Sequence, residues 1–147
     1  MEKLDILMLG DTRAHWDFVD KLIQFEIEDM QRTYDYVLYT GGQGAQEQVD
    51  KIEHEDPETE KLAHADHNKT MDKLYKLLKK NDKSKLIYVP GGTDAPFLYD
   101  HDEHDEHTRA VNLHKNIYEL AESLHVVGIG GSVPSVLETY SEDGDMV

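Results

Sequence analysis

Three short apolar runs, each closed by a glycine-bearing loop, set the rhythm of this chain. Residues 4–8 lead into Leu9-Gly10-Asp11-Thr12-Arg13. Tyr36–Tyr39 leads into Thr40-Gly41-Gly42-Gln43-Gly44, and residues 86–89 into Pro90-Gly91-Gly92-Thr93-Asp94. Between the first two runs, Val19, Leu22, Ile23 and Met30 recur at helical spacing, predicting a helix over 15–31. Between the second and third, Met71, Leu74, Tyr75 and Leu78 form an i, i+3, i+4, i+7 stripe, predicting a helix over 67–80. The alternation predicts an α/β fold with a βαβαβ core and a mixed sheet. In such a sheet the three loops lie together at the carboxyl ends of the strands, where open α/β sheets bind ligands.

Two further runs, 116–120 and 125–129, flank a short turn and predict a hairpin that ends in Gly128-Ile129-Gly130-Gly131. Polar excursions separate these elements. Residues 46–67 hold eight acids and read as a solvated, partly helical segment; 100–109 read as a second acidic loop. Lys69, Lys73, Lys76, Lys80 and Lys83 make a basic stripe beside the apolar one, a solvated helix face or a docking surface.

At 147 residues the chain suits one domain, 1–147, with a sizeable core. Its net charge of −16 disfavours nucleic acid and anionic membrane as partners. The absence of cysteine removes disulfides, thiolate metal sites and cysteine nucleophiles. The opening residues lack the apolar length of a signal peptide and no run reaches the ~20 residues of a membrane span, so a cytoplasmic location is expected.

Familiar motifs fail on inspection. Gly42-Gln43-Gly44 has two glycines of a dinucleotide fingerprint, but Glu47 stands where the third belongs. No glycine loop continues into Lys and then Ser or Thr, and neither Ser132 nor Ser135 sits in a Gly-x-Ser-x-Gly elbow. His101, His104 and His107 recur every three residues among acids. They are weak candidates for zinc or nickel, because nothing in the segment imposes a rigid geometry.

Ile6-Leu7-Met8-Leu9-Gly10-Asp11 with Trp16-Asp17, the second run through Thr40-Gly41, Ile87 through Pro96, and Val126 through Ser132 together resemble the successive motifs of calcineurin-like metallophosphoesterases. The resemblance implies the N-terminal half of an αββα sandwich with a two-metal site at the loops. It also implies that the ligands are mostly lost. Asp11 matches a ligand, but Arg13 replaces a histidine and Gly42 the bridging aspartate. Gly92 and Thr93 replace an asparagine and a histidine, and Asp94 matches an acid that orients the missing histidine; without the metals, Asp11 and Asp94 read as structural residues that cap their loops. The family's later histidines have no counterpart before the chain ends. On this reading Arg13 pairs with Asp11 or Asp94 and supplies the charge of the lost metal. One sheet face should also lack the cover that the rest of the family fold provides.

Three functions follow as expectations. The first is a non-catalytic module, a structural or binding subunit that works with other protein chains and needs no cofactor. The second is a divergent phosphoesterase with a reduced site of Asp11, His15 and Asp94 and a divalent metal (Mn, Fe or Zn). The third is a small-anion sensor in which Arg13, His15 and the loop amides hold phosphate.

Overall fold

A computed structural model describes residues 3–44, 57–91, Asp94, Leu98 and 109–131. Strand β1 is Ile6–Leu9, β2 Tyr36–Tyr39, β3 Lys85–Tyr88 and β4 Ala110–Asn112; β5 is Asn116–Ala121 and β6 Leu124–Gly128. Helix α1 spans Trp16–Gln24 and continues as a wider π turn over Phe25–Asp29. Helix α2 spans Pro57–Leu74 and tightens into a 3-10 turn at Tyr75–Leu77.

The first four strands form one wholly parallel sheet in the order β1-β2-β3-β4, and β5-β6 form a separate antiparallel pair. The mixed sheet expected from the sequence is thus two sheets, each of one kind. In the parallel sheet Leu7, Val37 and Leu86 stand in register with Ala110. The strand order never reverses. Parallel crossovers share one hand, so successive connections fall on one side of such a sheet. Both helices accordingly cover one face, where Val19, Ile23, Met71 and Leu74 pack with Val37, Tyr39, Leu86 and Tyr88. There is also no reversal point to open a crevice of the doubly wound kind.

The opposite face is covered by the hairpin. Ile87 and Tyr36 pack with Leu113 and Leu120, and Tyr118 and Val126 close over them. The Tyr36 hydroxyl donates to the Leu120 carbonyl at 2.9 Å, and its ring meets Tyr118 edge-on at 6.2 Å. The predicted hairpin therefore forms, and it makes a second layer.

The helices differ from expectation in detail. α1 buries Val19 and Ile23, but Met30 is exposed, because the π turn ends the helix first and rotates its last residues. Burial passes instead to Glu26, which accepts both Arg32 Nε (2.9 Å) and the Tyr34 hydroxyl (2.6 Å). α2 begins ten residues before the predicted start, with Pro57 at its first position, where proline's missing N–H costs nothing. The segment expected to be partly helical is therefore helical over 57–67, with Glu58, Glu60 and Asp66 in it. The rest of the 46–67 segment and nearly all of 100–109 lie outside the described residues.

The lysine stripe is partly spent inside the protein. Lys73 Nζ reaches Asp20 Oδ1 at 2.5 Å, and Lys69 Nζ sits 4.6 Å from the Trp16 ring centroid. Both contacts fasten α2 to α1. Lys76, Lys80 and Lys83 remain exposed.

Candidate functional site: the glycine-loop cluster

The loops after β1, β2 and β3 pack against one another through their backbones. After β1 the chain runs beside the second loop: Asp11 N donates to Gly41 O (2.7 Å), Arg13 N to Gly42 O (2.8 Å) and Ala14 N to Gln43 O (2.9 Å). This course puts Asp11, Arg13 and Ala14 at positive φ, a costly conformation for residues with a β-carbon. Thr12, between them, turns inward, and its hydroxyl lies 2.7 Å from that of Tyr39. Burial pushes the Tyr39 phenol up to about 12, against the hydrogen bonds from Thr12 that pull it down.

Asp94 ties the third loop to the second. It is 2% exposed. Its Oδ2 accepts the amides of Gly91 (2.6 Å) and Gly42 (3.1 Å), and its Oδ1 accepts that of Gln43 (2.6 Å). Burial pushes its pKa up, and the Gly91, Gln43 and Gly42 amides and nearby His67, which pull it down, offset this only in part. The role open to this carboxylate is capping the two loops.

Gly42 is the tightest point. Its φ is +80°, and a β-carbon there would lie 2.7 Å from Asp11 Oδ1 and 2.9 Å from Asp11 Cα. No side chain fits unless the first two loops part. The bridging aspartate that the resemblance places at this position therefore has no room.

Arg13 pairs with Asp11, Nε to Oδ1 at 2.5 Å, and not with Asp94. The expected alternative is decided in favour of the nearer acid. Both side chains are substantially exposed, so the pair is a surface contact and not a buried charge replacing a metal. His15 precedes α1 without capping it, and lines an open cavity of about 650 Å³ with Asp11, Asp17 and Trp16. Asp11 and Asp94 are thus engaged separately. Among the described residues no group of three or more His, Asp or Glu is placed to hold a metal. The described residues do not fit a two-metal centre. Gly92, Thr93, His101, His104 and His107 lie outside the described residues.

Two residues missed by sequence reasoning complete the cluster. Gln43 is buried, and its Oε1 lies 2.9 Å from Nδ1 of buried His67, whose ring packs 5.4 Å from that of Tyr88. Gln43 Nε2 has no hydrogen-bond partner among the described residues. An orphaned donor at this depth costs about 1–3 kcal/mol. The sequence signals for both were poor: Gln43 reads as loop filler between glycines, and His67 lies in a polar run.

Comparison of the chain with protein-family models, with curated proteins and with solved structures gives no match. The metallophosphoesterase resemblance therefore rests on the local motifs alone. Among the described residues no helix is long and apolar enough to cross a membrane.

Proposed function

We propose that this chain is a non-catalytic module, metallophosphoesterase-like in its loops, that serves as a structural or binding subunit working with other protein chains. The observation that carries the reading is the closure of Gly42 onto Asp11. Two cations held by shared carboxylates need a gap between these loops, and backbone contact fills it. Asp94 supports the same reading, because both its oxygens are taken up by loop amides. The reduced hydrolase site of Asp11, His15 and Asp94 would have to release Asp94 from three hydrogen bonds. An anion in the cavity beside His15 would face Asp11 and Asp17.

The test is turnover of an aryl phosphate monoester and diester with manganese, iron or zinc. The expected result is a rate equal to buffer with metal. Metal-dependent turnover abolished by Asp11→Ala would overturn the reading.

A further inference from the structure

No further inference is drawn: the strongest candidate, the apolar groove between the hairpin and the parallel sheet that Met8, Leu38, Val126 and Val127 line, is an unpartnered apolar face, and nothing in the structure shows what covers it.

Discussion

Asp94 accepts the backbone amide of Gln43 at 2.6 Å across a sequence gap of 51 residues. With the Gly42 and Gly91 amides on its other oxygen, one carboxylate holds the loops after β2 and β3 together. Catalytic loops present their carboxylates outward to a ligand. Here the carboxylate faces its own backbone, and the cluster is built for closure.

Asp94→Asn should therefore destabilise the protein, although it keeps size and shape. Its amide group cannot accept on both sides, so at least one loop N–H loses its partner and confronts another donor. The expected cost is about 1–3 kcal/mol, with Asp94→Ala at or above the upper end because three amides are orphaned. Urea denaturation measures it. A midpoint unchanged in both variants would mean that the loops hold without Asp94.

Gly42→Asp, the substitution that restores the aspartate of the resembling family, should lower stability and recover no metal binding. The new β-carbon meets the Asp11 backbone at 2.9 Å at a φ of +80°. Strain at such a site costs on the order of 1–3 kcal/mol, before the added carboxylate is set beside that of Asp11. Thermal melting with and without manganese checks both halves. A variant that melts at the parent temperature and gains metal-dependent stabilisation would contradict the prediction.

Arg13→Ala should cost little, about 0–1 kcal/mol, because its bond to Asp11 is solvent-exposed. Arg13→Gly should be no worse, since the residue sits at a φ of +46°, where glycine is free of strain. Lys73→Ala should destabilise more than either. Its side chain is largely buried where α2 meets α1, and it carries the link to Asp20. Parallel urea titrations rank the three variants. Arg13→Ala as the most damaging of them would revive the idea of a buried charge replacement.

The parts of this fold readable from sequence are those with a strong local period. Strand β2 lies at its predicted bounds, and the hairpin forms within a residue or two of its own, because alternation and turn residues agree there. β4 was missed. It has three residues, and what places it is tertiary: Asn112 Nδ2 donates to Leu98 O, and Arg109 holds the carbonyls of Lys79 and Ser84. The partly helical reading of 46–67 holds over 57–67, but its continuity with the next helix was not legible, because the buried face there includes Ala63, His67 and Thr70, which carry little hydrophobic signal. At the site, the pairing of Arg13 with Asp11 was legible because the two are close in sequence. A loop-capping role for Asp94 was legible too, but which amides it accepts depends on where the loops after β2 and β3 meet, which no local pattern encodes.

Lys79 offers a test of electrostatics far from the loops. Its ammonium bridges Asp35 (2.9 Å) and Asp5 (3.0 Å) where the chain enters β1 and β2. For Asp35, burial pushes the carboxyl up, but the Asp5 amide and Lys79 outweigh it, and the net shift is downward. Hydrogen bonds to Asp35 and Asp5 shift Lys79 upward. The signs define two windows. A carboxyl lowered in the folded state stabilises above its unfolded value of about 3.9, and that stability is lost as pH falls through the folded value. An ammonium raised in the folded state stabilises below its unfolded value of about 10.4, and that stability is lost as pH rises through the folded value. The stability difference between the parent and Lys79→Met should thus be constant from about pH 5 to 9, and should shrink towards both extremes. Ionisation of Tyr39 in the unfolded chain also lowers stability above about pH 10, but both proteins share it and it cancels in the difference. Urea denaturation of the pair at pH 3, 7 and 10.5 checks this. A difference that does not change with pH would show that Lys79 acts through the packing of its methylenes and not through its charge.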